Sequence, residues 1–422
     1  MSRRVLGVGI SLIVAAVLGT GWLAVRRHSL RVALPPITVG VLHSLTGTMA
    51  ISERSVVDAT LLAIEEINEA GGLLGREVRA VVMDGKSDSA SFALAAEHLI
   101  SETRASVVFG CWTSASRKTV RPIFERHDHL LFYPVQYEGL EASANIIYTG
   151  AAPNQQILPA VRWAFDNLGK RFFLVGSDYV FPRTANAIIK DQLTALGGEI
   201  VGEEYILLGS QDVADAVAKI VAAEPDVILN TINGDSNIPF FRALRMAGIS
   251  PEQIPTMSFS IGEAELGKFE DNSMQGDYAC WSYFQGVDTP ENRKFVKRFK
   301  RRYGRNRVTS DPLEAAYFGV NLWAQAVRSA GSPDAGQVRR ALAGQSFDAP
   351  EGLVHIDGNN NHCWKFVRIG RVGAQGQFDE VWSSGRPVRP IPYPAYRSRV
   401  EWDHFLDSLY TGWGQHWENV AF

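Results

Sequence analysis

Cysteine is scarce in this sequence, and neither sign of charge dominates. The 422 residues include only three cysteines, Cys111, Cys280 and Cys363, and no two of them form a C-x-x-C pair. A disulfide framework is therefore excluded, and at most one pair could form a bridge. The 42 basic and 45 acidic residues give a formal net charge of −3. The chain thus lacks the overall basic character that favours nucleic-acid binding.

The motifs of common nucleotide-binding and hydrolytic sites are also missing. No G-x-G-x-x-G follows the first predicted strand of either half, and no G-x-x-x-x-G-K-[ST] occurs, so we expect no cofactor. G-x-S-x-G and H-E-x-x-H are absent as well. His127 and His129 are the nearest approach to a metal site, but they stand at a predicted helix-to-strand junction and would point apart. We expect no metal and no enzymatic activity.

The longest uncharged run lies at the amino terminus. Residues 5–25 carry no charge, and Arg26, Arg27 and His28 follow them. A run of this length can cross about 30 Å of hydrocarbon, which favours a membrane anchor. A signal peptide that is cleaved is the alternative interpretation, although its apolar stretch is usually shorter. Both interpretations of residues 1–31 predict that the remainder of the chain is exported.

From residue 37 onward, strand-like and helix-like segments alternate, and the alternation restarts after residues 148–154. Strands separated by helix-length segments indicate βαβ units and parallel sheets, so the predicted fold class is α/β with two sheets in series. Within the first unit, Ser52 is predicted to cap a helix that runs to Asn68. The stretch beyond about residue 283 is too short for a domain of its own. We expect it to complete one or both sheets.

Ligands of open α/β sheets bind beyond the carboxyl ends of the strands. The turns at those ends are rich in Tyr, Trp, Ser, Thr and Asp, and they lack clustered Lys and Arg; they are 43–49, 111–116, 133–138, 177–183, 231–237 and 258–265. Aromatic faces, hydroxyls and free amide groups at helix starts suit a small neutral polar molecule better than a phosphate.

Each candidate in these turns also has a purely structural interpretation. Trp112 could fill the base of its turn, and Ser114 could be only a helix cap. Tyr179 and Phe181 could pack between lobes. Asp235 could be a cap alone, and Glu263 stands at a predicted helix start, where the helix dipole favours a carboxylate without any ligand.

Five segments carry a resemblance to a known family. FGCWTSASRK, LLFYPVQYEG, YTGAAPNQQ, GSDYVFPRT and TINGDSNIPF occur in this order, and DPLEAAY follows them. Together they resemble the urea and short-chain amide branch of the branched-chain amino-acid-type solute receptors of ABC transporters. The resemblance extends over about residues 37–392. It implies a two-lobed type I periplasmic binding protein with three hinge crossings and a periplasmic location.

The resemblance also implies a division of the chain into lobes. The first lobe would comprise residues 36–151 and 286–352, and the second 154–283 and 353–392. Residues 393–422 are left as an aromatic tail. Trp402, Phe405 and Leu409 have helical spacing in this tail, so it could pack back on a lobe or form a docking surface for a partner or membrane.

Contact positions of the family carry over to six residues of this sequence: Trp112, Ser114, Tyr133, Val135, Tyr179 and Phe181. Where the amide-sensing relatives have tyrosines, this chain has Trp112 and Phe181. Asp235 fits the urea receptors better and favours urea as the ligand, and Glu263 completes the predicted binding set. The function implied is capture of urea or a short aliphatic amide for an ABC permease. A membrane-tethered sensor of the same ligand, acting on a signalling partner, is the alternative.

Overall fold

A computed structural model describes residues 34–269 and 273–419. The predicted anchor or signal run at 5–25 lies outside the described residues. In chain order the strands are β1 Ile37–His43, β2 Val78–Asp84, β3 Val108–Gly110, β4 Leu131–Tyr133, β5 Ile146–Tyr148, β6 Arg171–Ser177, β7 Glu199–Ile206, β8 Val227–Thr231, β9 Thr256–Ser258, β10 Tyr278–Trp281, β11 Ser346–Ala349, β12 Gly352–Ile356, β13 Cys363–Trp364, β14 Arg368–Val372 and β15 Phe378–Ser383.

The helices lie between these strands and at the end of the chain. They are α1 Ala50–Glu69, α2 Ser89–Ser101, α3 Ser114–Arg126, α4 Ile157–Asn167, α5 Val180–Leu196, α6 Ala214–Ala223, α7 Asn237–Met246, α8 Glu263–Leu266, α9 Pro290–Tyr303, α10 Asp311–Ala330, α11 Ala335–Leu342 and α12 Arg399–Gly412. Short 3-10 turns occupy Pro153–Gln155 and Gly234–Ser236.

The first lobe is built on a five-stranded sheet of order β2-β1-β3-β4-β5, and every pairing in it is parallel. Helix α10 packs against it from later in the chain: the Trp323 ring lies 5.8 Å, edge to face, from the ring of Phe109 on β3. The fully buried Phe318 belongs to the same apolar cluster. The first lobe therefore needs a segment some 160 residues downstream of its last strand to complete its core.

The second lobe has a seven-stranded sheet of order β15-β14-β10-β9-β8-β6-β7. Its pairings are parallel from β7 to β10, whereas β14 and β15 are added antiparallel at one edge. The predicted α/β class and the two parallel-rich sheets are thus confirmed. The chain crosses between the lobes three times, after β5, after β10 and after β13, as expected.

The packing places β12 and β13 with the first lobe. Strand β12 pairs with β11 on one side and with β13 on the other in a small antiparallel sheet, and Val354, Ile356 and Cys363 join the apolar cluster of the first lobe. The predicted boundary at residue 352 would assign these strands to the second lobe. Because their buried side chains lie in the first, we propose that the third crossing falls at residues 365–367 instead.

Two local predictions about helix starts differ from the structure. Helix α1 begins at Ala50, with Met49 in the cap position, so Ser52 lies inside the helix and the prediction that it is the N-cap was wrong. Helix α3 is capped by Thr113, whose hydroxyl oxygen accepts a hydrogen bond from the Ser116 backbone N–H at 3.0 Å. Ser114 is consequently free of any capping role.

The tail packs on the second lobe through α12, which has the predicted helical spacing. Trp402 is fully buried there, and its indole N–H donates to the Pro394 carbonyl at 3.0 Å. Arg397 forms a two-pronged ion pair with Asp191 of α5, with distances of 2.7 and 2.8 Å. Among the described residues, no helix is both long and apolar enough to cross a membrane.

Candidate functional site

The turn after β3 is shaped by a close approach of two strands. A Cβ added at Gly110 would lie 2.1 Å from the Leu42 carbonyl oxygen, so only glycine fits there. Cys111 follows with φ of +66° and donates its backbone N–H to the same carbonyl at 2.9 Å. This left-handed residue turns the chain sharply and brings Trp112 and Ser114 to the carboxyl edge of the first sheet.

Trp112 and Tyr133, from neighbouring strand ends, are joined in the structure. The Tyr133 hydroxyl donates to the Trp112 carbonyl at 2.5 Å, and both side chains are buried. Val135 lies in the same apolar cluster. Its turn is held against Gly150, where an added Cβ would lie 2.0 Å from the Val135 carbonyl oxygen. Three of the predicted contact residues therefore form one continuous wall of the first lobe.

Ser114 is embedded in a buried network of charges. Its hydroxyl donates to a carboxylate oxygen of Glu138, and it accepts a hydrogen bond from Nη1 of Arg117 at 2.9 Å. A hydroxyl has one proton and two lone pairs. With the proton given to Glu138 and one lone pair used by Arg117, Ser114 has only an acceptor site left for a ligand.

The positive charges near Ser114 are fully compensated. Arg117 contacts Glu138 at 3.1 Å and Glu141 at 3.0 Å, and Lys118 contacts Glu141 at 3.2 Å. Burial alone would raise the pKa of Glu141, but Arg117 and Lys118 hold that pKa below its ordinary value. The buried charges beside Ser114 are therefore balanced, although the sequence alone indicates few cations near the site.

The second lobe supplies Tyr179 and Phe181 at the start of α5. Their ring centroids are 6.3 Å apart, and both side chains are buried in a cluster that includes Ala115 and Leu140 of the first lobe. Burial raises the pKa of the Tyr179 hydroxyl well above its ordinary value, so it stays neutral. These two residues therefore pack against Ala115 and Leu140 of the first lobe.

The two lobes touch directly in this structure. The indole N–H of Trp112 points to the Asn233 side-chain oxygen at 3.4 Å, and Thr48 donates its hydroxyl to Asp235. Gln136 of the first lobe donates to the Phe259 carbonyl of the second at 2.7 Å. The arrangement is a closed cleft whose walls are already in contact.

Asp235 and Glu263 have contacts different from those of the other predicted residues. Asp235 is half-buried, and one of its oxygens is engaged by Thr48 from the opposite lobe. Glu263, at the start of α8, accepts the Gln285 backbone N–H at 2.6 Å next to the second crossing. Its other oxygen, Oε2, is buried and has no hydrogen-bond partner among the described residues. The other six predicted residues are buried at strand ends and helix starts of the two lobes, whereas Asp235 contacts the opposite lobe and Glu263 contacts a crossing.

Sequence reasoning missed several residues of this cleft. Thr48 and Asn233 stand in turns that were identified, but nothing in their type distinguishes them from neighbouring polar residues. Glu138 lies in the identified turn 133–138, and its pairing with Arg117 depends on α3 folding back beside that turn. A carboxylate three residues beyond Val135, together with a basic pair on the preceding helix, is the signal that could have found it.

The remaining candidates of the sequence have structural roles. His129 contacts the Ala105 carbonyl at 2.6 Å, and His127 contacts Glu97 at 2.8 Å, so the two rings serve different partners. Within 34–269 and 273–419, no group of His, Cys, Asp and Glu has the arrangement of a metal site. Cys111, Cys280 and Cys363 are all buried and unbridged.

The class of protein follows from comparison with known families. Residues 37–399 match the periplasmic binding protein domain family, and the chain belongs to it. The fold is the two-lobed type I periplasmic binding protein fold. This family and fold are those of solute receptors without enzymatic activity, which agrees with the absence of enzyme motifs in the sequence.

Individual relatives share this architecture at low identity. The Leu/Ile/Val-binding protein homolog 6 of Brucella melitensis is 23% identical over 349 residues, which are 80% of this chain and 87% of that protein. A solute binding protein of an ABC transporter from Rhodopseudomonas palustris, solved with p-hydroxybenzoic acid, has a TM-score of 0.77 at 21% identity and covers 84% of this chain and 98% of its own.

A shorter match has higher identity. A limonene hydroxylase of Geobacillus stearothermophilus is 39% identical over 117 residues, which are 28% of this chain. The chain spans only 21% of that protein's length. This match therefore concerns one segment and not a whole protein.

Proposed function

We propose that this chain is an exported receptor that captures urea or a short aliphatic amide and delivers it to an ABC permease. The observation that carries the proposal is the charge balance beside Ser114. Arg117 already faces two buried carboxylates, Glu138 and Glu141. A ligand with a carboxylate would add a third negative charge at this place, whereas a neutral amide would not.

The hydrogen-bonding capacity of the cleft supports the same ligand class. Ser114 has an acceptor site left, and Asp235 and Asn233 add acceptor oxygens from the second lobe. Urea has four N–H donors in one plane and needs such acceptors around its nitrogens. Trp112, Tyr133 and Phe181 supply flat apolar walls that suit a planar molecule.

Closure of the cleft is needed for useful affinity. Urea has four heavy atoms, and at a ceiling of about 1.5 kcal/mol per atom its binding free energy is at most about 6 kcal/mol. This corresponds to a dissociation constant of tens of micromolar, and it requires nearly every polar atom to be satisfied. Two lobes that close on the ligand can achieve this, as a hinge motion does in related receptors.

The relatives' ligands define the competing possibilities. The Rhodopseudomonas palustris structure contains p-hydroxybenzoic acid, and the Brucella relatives are described as Leu/Ile/Val-binding homologs. Both ligand types carry a carboxylate. The neutralised Arg117 disfavours them in this chain.

A ligand screen tests the proposal. We expect urea, formamide or acetamide at millimolar concentration to raise the melting temperature of the purified chain, and p-hydroxybenzoate and leucine to leave it unchanged. Calorimetry then measures the affinity of the best ligand. Stabilisation by the acids and none by the amides would contradict the proposed ligand class.

A substitution at the site tests the assignment of residues. We expect Ser114→Ala to weaken urea binding at least about tenfold, because it removes an acceptor in a desolvated place. Ser101→Ala, at the exposed end of α2, is the matched control, since its hydroxyl contacts only Glu97. Equal urea affinity in both variants, measured by calorimetry, would show that Ser114 is not in the site.

A tethered sensor is the second candidate, and the uncharged run at 5–25 favours it. A sensor would signal its closed, ligand-bound conformation to a partner protein and would not deliver the ligand to a permease. Transport of labelled urea by cells that carry the chain and its neighbouring genes separates the two: uptake that is lost on deletion of this chain supports the receptor.

A further inference from the structure

The last described residues of the chain connect both lobes. Residues 413–419, here called the strap, follow α12 and contact residues of both lobes. On the second lobe, the Val180 backbone N–H donates to the Trp417 carbonyl at 2.9 Å, and Tyr179 pairs with Glu418 as an antiparallel bridge. The strap thus touches the residues at which α5 and the aromatic wall begin.

The end of the strap is fixed to the second lobe as well. Asn419 donates its backbone N–H to the Asp178 carbonyl at 3.0 Å and its side-chain N–H to the Asp178 carboxylate at 2.7 Å. Its beginning is held by α12, whose Trp402 is fully buried in the second lobe. The Tyr410 and Trp417 rings lie 4.6 Å apart and connect the helix to the strap. The strap therefore moves with the second lobe.

Two contacts reach from the strap to the first lobe. The Ser89 hydroxyl, at the first residue of α2, donates to a carboxylate oxygen of Glu418 at 2.8 Å. The Lys118 ammonium lies 5.0 Å from the centre of the Trp417 ring. A carboxylate at the start of α2 and a cation over an indole are both favourable placements.

Glu418 also lines a small cavity between the lobes. The first lobe contributes Ser44, Glu53, Thr113 and Ser116 to its wall, and the second lobe contributes Leu208. Thr113 and Ser116 belong to the same turn as Ser114. Opening of the lobes would separate Glu418 from Ser89, because one partner lies on each lobe.

We propose that the strap is a third component of the receptor that closes over the cleft with the two lobes, and that the Ser89–Glu418 and Lys118–Trp417 contacts hold the closed state and slow solute release. The proposed function enters only in the choice of urea as the probe. The strap contacts form between the two lobes and are absent when the lobes separate. Their free energy therefore adds to the stability of the closed state alone.

A pair of substitutions tests the contact in the full-length chain. We expect Ser89→Ala and Glu418→Ala each to raise the dissociation rate constant of urea about tenfold, the size expected for one hydrogen bond to a charged group. The double variant should release urea no faster than either single variant, because the same contact is lost. Asp407→Ala, on the exposed face of α12, is the matched control and should leave the rate unchanged. Additive effects of the two substitutions on the dissociation rate constant, or rate constants equal to that of the control variant, would contradict the proposed role of the strap.

A second measurement tests the role of the strap without any ligand. Spin labels at Leu94→Cys on α2 and Val221→Cys on α6 report the separation of the lobes, since both positions are exposed and the native cysteines are buried. Without solute, Glu418→Ala should shift the measured distances to longer values, and Asp407→Ala should not. An unchanged distribution of distances between the two labels would contradict the proposed role of the strap. If the unaltered chain fails to bind urea, the proposed ligand is rejected, and this measurement still decides on the strap.

Discussion

At the scale of single residues, the cleft combines neutral contact groups with buried charged residues that form ion pairs with one another. Ser114 has its proton committed to Glu138, and Arg117 has its guanidinium shared between Glu138 and Glu141. A buried cation that is already paired orients its neighbours without attracting an anionic ligand. Glu138 and Arg117 therefore leave the Ser114 hydroxyl able only to accept a hydrogen bond from the solute, although neither residue needs to contact the solute itself.

Glu263 leads to a prediction about pH. Burial raises its pKa to about 8, and Glu265 and Asp311 oppose its ionisation further, although the Gln285 backbone N–H partly stabilises the charged form. A carboxyl whose pKa is higher in the folded chain stabilises the fold below its unfolded pKa, and this contribution is lost as the pH rises through the folded pKa. We expect the contribution of Glu263 to the free energy of unfolding to fall by on the order of 3 kcal/mol between pH 5 and pH 8.

Guanidinium chloride unfolding at several pH values checks this, since urea is the proposed ligand. Glu263→Gln should make the fall between pH 5 and pH 8 smaller by this amount, because the amide does not titrate, while buried carboxyls such as Asp277, whose pKa is raised to about 7, keep the remainder. Glu380→Gln, with its side chain 44% exposed, is the matched control and should keep the dependence of the unaltered chain. Identical pH profiles for both variants would assign the effect to another group.

At the scale of elements, the alternation of strands and helices in the sequence predicts most of the fold. The runs at 37–44 and 107–110 are apolar and short, and they became β1 and β3. β5, β10, β11 and β14 were not predicted, because strands of three to five residues next to polar turns have little pattern of their own. The start of α1 differed because Met49 occupies the cap position without a side-chain hydrogen bond, which no propensity rule would select.

The docking of α12 gives a prediction at this scale. Trp402→Ala should lower the free energy of unfolding by about 3 kcal/mol, because it leaves a cavity where a large ring is fully buried and removes the hydrogen bond to Pro394. Val400→Ala, two residues away and 63% exposed, is the control and should change it little. Guanidinium chloride unfolding measures both. Equal stability of the two variants would mean that α12 is not held by its tryptophan.

At the scale of the whole molecule, the crossings are held together by buried charges. Lys365, at the third crossing, lies 3.1 Å from Glu351 and 4.0 Å from Glu314 of α10. Asp311 of the same helix accepts the backbone N–H groups of Ser282 and Tyr283, at the second crossing, at 2.9 and 3.0 Å. Burial raises the pKa of Glu314 well above its ordinary value, and Glu351 raises it further. One lysine thus compensates several carboxylates where the lobes join.

Removal of this lysine is predicted to destabilise the whole chain. Lys365→Met should lower the free energy of unfolding by about 3 kcal/mol at pH 8, because it leaves the buried carboxylates without a counter-charge. The loss should be smaller at pH 5, where the carboxyls can take up protons. Lys294→Met, with a side chain 75% exposed, is the control. A loss that is the same at both pH values would contradict the electrostatic explanation.

The sequence predicts the two-lobed plan but not the contacts across the cleft. Trp112, Tyr133 and Val135 could be placed at the carboxyl ends of first-lobe strands because they follow predicted strands, and their motifs resemble a known family. Thr48 and Asn233 could not, because their meeting with Asp235 and Trp112 depends on the angle at which the lobes close. The contact between Glu418 and Ser89 could not be predicted for the same reason, because the two residues are 329 positions apart along the chain.

The interleaved path of the chain has a consequence for synthesis. Phe318 and Trp323 of α10 fill the core beneath β3 and β4, and β13 ends the first-lobe portion at Trp364. A nascent chain that has just completed β5 therefore has its first sheet without the helix that covers one face. The second sheet likewise waits for β14 and β15. The first lobe is therefore incomplete until Trp364 has been made and the second until Ser383, so neither becomes resistant to proteases early in synthesis.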